Sequence, residues 1–491
     1  MDKRSWSGKL PHATGFMCLM VAWALTACEP SGSTPIATDT PTGGQDVIGT
    51  EDFEVLDPNT GKPPCSGVFR VEDLDGNLVA EPEGDGDYVF DKAEIRDFDV
   101  EMSVEDWAWL QAHALDEEYL PANVIFEGRR YVGVGIRFKG AWSSLVGCFN
   151  EEGEQTCPKL SMKIRFDKYD SCGRLHGVRR LVFNSGLGDS TMMRDPLMYG
   201  MWNDAGFFAP RASHARLRVN GEPWSVFVLV EPIDKEFIQA RFDEDEGNLY
   251  KEAWPNDVDE WFYSMALRTN EGVGDISRIL AFANAVLDSD DAHFEEEVSA
   301  YTDLAQIART LAVGRVTSDD DGITRFWCFD MFGTCQNHNY YWYDEPGVGF
   351  HLLPWDMDVT FYGTHEPAKF AVEWWEKPDD CGPVPKWVVE DPENPDPEND
   401  SLVKAPQCDR LMYQAVHLHP EAYNEVLADL IPALEQMQVN LESFRTKIEA
   451  KLVADPLYLH DQAEFTNSVD WFKKLIGEQI TYLEEHLTTI E

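Results

Sequence analysis

The chain has 491 residues, with 89 acidic against 40 basic side chains and a formal net charge of −49. That balance excludes the basic footprint that nucleic-acid binding requires and favours cations or basic surfaces as partners. A hydrophobic fraction of 43%, with 16 Trp, still supplies enough apolar surface for a large core.

Residues 1–28 have the form of an export signal. Lys3, Arg4 and Lys9 give a positive start, and Gly15–Leu25 is an apolar run too short to span a bilayer. It ends in Leu25-Thr-Ala-Cys28, the form of a lipobox, so Cys28 is the expected lipidation site; an ordinary secretory signal is the alternative. The expected address is the bacterial cell envelope, as a lipoprotein facing the periplasm or the cell surface, held to the membrane through the N-terminal lipid only. Residues 29–50 are rich in Ser, Thr, Pro and Gly and read as a flexible tether. Residues 51–92 read as an acidic N-terminal extension, with Asp73-Leu-Asp-Gly-Asn77 as a turn.

Ten cysteines support that address. Cys18 leaves with the signal and Cys28 takes the lipid. The rest form an even set, as disulfides in an oxidising compartment do. Local spacing pairs Cys148 with Cys157, Cys328 with Cys335 and Cys381 with Cys408, which leaves Cys65 with Cys172. No CxxC pair is present to suggest structural zinc.

From Val89 to Phe183 the pattern is mostly strand. Tyr131–Phe138 and Leu160–Phe166 alternate apolar and polar residues. The first leads into the Gly/Ser loop Lys139–Ser144. Residues 188–205 are predicted helical, with Asp189 and Ser190 as caps. Strands at Ala215–Val219 and Ser225–Val230 flank the turn Asn220-Gly221. Residues 275–315 read as helices. Strands at Tyr340–Tyr343 and Gly349–Leu353 flank the turn Asp344–Gly347. Residues 377–407 form an acidic, Pro-rich insertion, and residues 409–491 are amphipathic helices. Strands first and helices later predict an α+β fold of bilobal, kinase-like form. Its mostly β N-lobe spans 93–235 and its mostly α C-lobe 236–491.

The chemistry concentrates in His338-Asn-Tyr-Tyr-Trp-Tyr343 and Pro354-Trp-Asp-Met-Asp358. An amide and carboxylates on neighbouring strands suit a hard divalent cation that takes oxygen ligands. Upstream, Ser318-Asp-Asp-Asp-Gly322 supplies a further acid of the kind that orients an attacking hydroxyl in phosphoryl transfer. The plain alternative is a set of surface turns in a very acidic protein.

Several blocks in order resemble the CotH kinase family: Val132–Gly140, Lys159–Phe166, Leu181–Asn184 with Asp189-Ser190 and Arg194, Val228–Lys235, Gly247–Lys251, and the two segments just quoted. The resemblance covers roughly residues 90 to 365. It implies an atypical secreted Ser/Thr protein kinase using ATP with Mg2+ or Mn2+; the acidic turns also suggest Ca2+. In that light Lys163 is the phosphate-contacting Lys, with Lys159 as runner-up on the same strand face. Lys139-Gly140 is the loop over the phosphates. Asp195 orders the nucleotide Lys, although the family usually has the longer Glu there. Glu231 and Ile233 lie at the hinge that would hold the adenine edge. Asp321 is the catalytic-loop acid, with Asp319 and Asp320 leaving the register open. Asn339, Asp356 and Asp358 are the metal ligands. Residues 323–337 depart from the family spacing and read as an inserted disulfide hairpin. The expected partner is a surface or secreted protein substrate, met by a monomer, with no nucleic acid. The competing reading is a catalytically inactive CotH-fold protein with a surface binding or structural role. No Gly-x-Ser-x-Gly, His-Glu-x-x-His or dinucleotide motif points to another chemistry.

Overall fold

A computed structural model describes residues 65, 67–141, 144–329, 334–361, 377–378, 381–386 and 401–487. The export segment, Cys28, the tether, the first part of the acidic extension and most of the 377–407 insertion lie outside the described residues.

The described chain is mixed α+β. Seven strands close into a ring. In spatial order they are β4 (Arg129–Phe138), β3 (Leu120–Phe126), β2 (Arg96–Glu101), β7 (Ala212–Val219), β8 (Ser225–Val230), β6 (Arg180–Asn184) and β5 (Met162–Arg165), which returns to β4. Only β2 and β7 run parallel. One edge of β4 serves two neighbours: its start pairs with β1 (Val71–Asp73) and its end with β5. Closure removes the exposed edges that invite mispairing.

Alternation explains the ring. Phe227 and Leu229 of β8 enter the interior core with Phe98, Phe183 and Ile164, while Val226, Val228 and Val230 face outward into a second core. Burial on both faces is why β8 reads as a continuous apolar run. In β4 the simple alternation breaks. Asn123 pairs with Val132 and Ala122 with Val134, so Gly133 is an extra residue. Its N–H donates to Asn123 Oδ1 at 3.1 Å and its φ is +74°. A bulge of this kind needs glycine, and it shifts the inward set by one, from Tyr131 to Val134 and Ile136.

The outer core is shared by the outward face of β8, by Ala212 at the start of β7 and by helices Arg194–Asp204, Ser277–Asp288, Leu304–Val316, Arg410–Leu418, Pro420–Val453 and Gln462–Leu487. Pro420–Val453 buries Leu427, Leu430, Leu434, Met437, Leu441, Phe444, Ile448 and Leu452, one stripe at three- and four-residue spacing. Residues of this core lie on both sides of residue 235. The helix expected over 188–205 begins only at Arg194. Met192 has φ +57°, and Asp189 caps from a distance by accepting the Arg194 N–H at 2.8 Å.

Two small sheets complete the chain. β9 (Asn248–Lys251), β12 (Tyr340–Glu345) and β13 (Gly349–Pro354) form one. The expected hairpin over 323–337 is present as β10 (Phe326–Phe329) and β11 (Thr334–Gln336). It is extended by β14 (Val384–Pro385) and β15 (Leu402–Lys404) into a four-stranded sheet. All four expected disulfides form, Cys65–Cys172, Cys148–Cys157, Cys328–Cys335 and Cys381–Cys408.

Candidate active site

The cationic half of the site lies on the barrel. Met162 and Ile164 point into the interior core, so Lys163 takes the opposite face of β5, directly across from Arg137 on β4. Among the described residues the Lys163 ammonium makes no ion pair. Burial, then the charges of Lys139 and Arg137, push its pKa down to about 7. Arg137 pairs with Glu117, and Arg180 lies 3.6 Å from Asp234. Lys139 follows β4, and burial pushes its pKa down while Asp356 opposes that shift. Gly140 beside it has φ +155°, and an added Cβ would lie 2.7 Å from both Leu145 Cβ and Ser144 Oγ, so no larger residue fits.

The acidic half comes from helix Arg194–Asp204 and the turn after β13. Asp195 accepts the Met357 N–H at 2.9 Å, and the Asp356 N–H donates to the Tyr199 hydroxyl at 2.8 Å. The helix and the turn are further tied by Arg194 Nε, which donates to the Thr360 carbonyl at 2.7 Å. Burial, then repulsion from Asp356, push Asp195 up to about 7 and Asp358 well above the usual carboxylate range. Gly188 makes room for Asp358, since a Cβ there would lie 2.7 Å from its Oδ2.

Asn184 joins the halves. The Lys139 ammonium donates to Asn184 Oδ1 at 2.9 Å, and Asn184 Nδ2 donates to Asp195 Oδ2 at 3.2 Å. The amide spans the gap that the short Asp195 side chain leaves. Nothing local in the sequence distinguishes Asn184 as a bridge, because both partners reach it only in the fold. Lys251, whose pKa rises because Tyr341, Glu252 and Asp356 outweigh its burial, is a cation at the site that the sequence reading did not single out.

Geometry separates the three consecutive acids. Asp320 is paired with Arg325 at 2.8 Å and with Lys386. Asp319 is buried against Gly322, where a Cβ would lie 1.8 Å from its Oδ2. Asp321 meets Asn339, whose Nδ2 donates to its carbonyl at 3.0 Å and to its Oδ2 at 3.1 Å. Burial raises the pKa of Asp321, with His338 opposing and Asp356 adding to the rise. Asn339 and Asp356 both sit at positive φ, +60° and +57°. Such strain in non-glycine residues collects at functional sites. Among the described residues no three His, Cys, Asp or Glu side chains close on a single metal position. The donor set of Asp356, Asp358 and Asn339 fits instead a cation that completes its shell with phosphate oxygens and water.

The side chains of Lys159, Glu231 and Ile233 have partners of their own. Lys159 precedes β5, so even spacing does not carry it alongside Lys163. Its ammonium is buried 3.2 Å from Asp455. Glu231 is held by Arg211 at 2.7 Å and Arg241 at 2.6 Å, and Ile233 is buried in the outer core. Trp142 and Ser143 of the Gly/Ser loop lie outside the described residues.

A mixed α+β protein with opposed, crowded cations and carboxylates is the class that this geometry defines. The family model described as CotH kinase protein matches residues 136–483, and the chain belongs to that family. A curated relative, the inner spore coat protein H of Bacillus subtilis (strain 168), is 21% identical over 333 residues, covering 64% of this chain and 80% of its own. Among solved structures, the Helicobacter pylori proinflammatory kinase CtkA is 9% identical with a TM-score of 0.27, covering 66% of this chain and 94% of its own. The Shewanella oneidensis MR-1 HipA, HipB and operator DNA complex is 10% identical with a TM-score of 0.27, covering 64% and 60%. At those scores neither structure bears on the fold described above.

Proposed function

We propose that this chain is an extracytoplasmic kinase, held to the membrane by lipid on Cys28, that moves the γ-phosphoryl of ATP to a Ser or Thr hydroxyl of a surface or secreted protein. In this reading the barrel is one lobe and the helical part the other, with ATP and Mg2+ or Mn2+ between them. The observation that carries the reading is the pairing of two unbalanced charge sets. Among the described residues Lys163 makes no ion pair, Lys139 is buried with Asp356, Asp195 and Asp358 only partly offsetting that cost, and those three carboxylates are crowded together. A polyanion with a divalent cation satisfies both.

Each residue then has a task. Lys163 and Lys139 neutralise phosphate oxygens, and Asn184 with Asp195 fixes where the Lys139 ammonium points. Asp356, Asp358 and Asn339 hold the metal, which when bound screens charge on the transferring phosphoryl group. Asp321 accepts a hydrogen bond from the acceptor hydroxyl and orients it. The hydroxyl oxygen bonds to the γ-phosphorus as the bond to the β-phosphate oxygen breaks. The hydroxyl proton passes to Asp321, and ADP leaves.

The test is to follow melting temperature and transfer of labelled phosphate by the purified protein with ATP and each of Mg2+, Mn2+ and Ca2+. Ligand binding to the native state raises apparent stability. ATP with a divalent ion is expected to raise the melting temperature and to label the protein or an added acceptor. If no ion supports either effect, the kinase reading falls and a non-catalytic surface role replaces it.

A further inference from the structure

The inserted hairpin is joined to the candidate catalytic loop by one side chain. β10 begins four residues after Gly322, and Trp327 Nε1 donates to Asp321 Oδ1 at 3.0 Å. Asn339 holds the other oxygen, Oδ2, at 3.1 Å. Both oxygens of Asp321 are therefore fixed, one from within the insertion and one from just beyond it, and the carboxylate has one orientation. An indole N–H is a neutral donor with no second function. It holds the carboxylate in place without the full loss of basicity that a Lys or Arg partner would cause.

Trp327 is itself held on several sides. Across the hairpin it pairs with Gln336, and its neighbour Cys328 pairs with Cys335, to which it is disulfide-bonded. On its other edge β10 pairs with β15, Trp327 opposite Val403. The Lys386 ammonium lies 5.2 Å from the Trp327 ring centroid and also pairs with Asp320. The insertions that carry Cys328–Cys335 and Cys381–Cys408 thus converge on one indole.

We infer that Trp327 is a positioning residue for Asp321, and that the disulfide-closed sheet exists in this chain to hold it. The inference rests on the kinase reading above. Trp327→Phe keeps the ring and removes the N–H. It is expected to lower kcat for phosphate transfer about tenfold to a hundredfold, with KM for ATP and the ATP-induced rise in melting temperature unchanged. In an Asp321→Asn background the same change is expected to cost no further activity, because groups acting as one unit are not additive. Cys328→Ser with Cys335→Ser is expected to lower kcat in the same direction. A wild-type kcat for Trp327→Phe overturns the inference. So does a loss that multiplies with Asp321→Asn, or a diminished ATP shift, which marks a general structural role. If wild type itself neither transfers phosphate nor gains stability from ATP, the kinase reading falls first and this inference with it.

Discussion

Two buried clusters of charge lie at the barrel, and they are built on opposite rules. Just after β8, Glu231 sits between Arg211 and Arg241, each carboxylate oxygen within hydrogen-bond reach of a guanidinium. The two Arg hold its pKa below the usual value even though burial pushes the other way. At the candidate site, like charges are crowded: lysines on the barrel, carboxylates on the turn after β13. Buried charge matched within the chain serves the fold, and buried charge left unmatched signals something missing that matches it. In the proposed kinase reading, phosphate oxygens meet Lys139 and Lys163 and a divalent cation meets Asp356 and Asp358.

The largest expected effect breaks the unmatched cluster. Asp356→Ala is expected to lower phosphate transfer by at least on the order of 10³-fold and to abolish the ATP-induced melting shift, because the metal loses its ligand. The melting temperature without ATP should stay equal or rise, since a repelling charge has gone. Glu231→Ala, at the matched cluster, should do the reverse. It removes the carboxylate shared by two guanidinium groups, leaving Arg211 with Asp87 and Arg241 with backbone carbonyls, and is expected to cost roughly 3–5 kcal/mol of stability, read by denaturant unfolding.

Asn184→Ala tests the bridge between the halves. It should lower kcat/KM roughly tenfold to a hundredfold by freeing the Lys139 ammonium. Adding Asp195→Glu, one methylene longer, is expected to restore part of the loss by direct contact. Failure of the double variant to recover any activity would remove the bridging role.

A separate effect is on stability against pH. Lys163 has a folded pKa of about 7 against an ordinary 10.5. Below pH 7 it is protonated in both states, and the cost of burying its charge is fully present. Between pH 7 and 10.5 only the folded state has released the proton, so stability rises with pH. Lys163→Met should therefore stabilise most below pH 7, with the gain shrinking toward pH 10.5. Equal gains at pH 6 and pH 10 would show that Lys163 has an ordinary environment.

Much of the fold was legible because it rests on local rules. The alternation in β5, the Asn220-Gly221 turn, the late helices and all four disulfides follow from period, turn chemistry and spacing. Asn339, Asp356 and Asp321 were legible as oxygen donors near turns, and the structure gathers them. What was hidden depended on tertiary neighbours. The role of Asn184 needs Lys139 and Asp195 to arrive from different elements. The environment of Lys159 was obscured because its partner, Asp455, is 296 residues away. The packing of helix Arg194–Asp204 and the outer face of β8 with the late helices in one core was likewise hidden, because it joins segments far apart in sequence.

The disulfide Cys65–Cys172 has a mechanical consequence. Cys172 lies between β5 and β6, both members of the closed ring, whereas β1 is a three-residue strand that meets the ring only through β4. A load applied to the chain at residue 65 passes through a covalent bond into the barrel wall and bypasses β1. Tension that would otherwise peel a short edge strand is instead shared by the hydrogen bonds of β5 and β6. The reduced protein should yield at a lower force than the oxidised one when pulled from its N-terminal side.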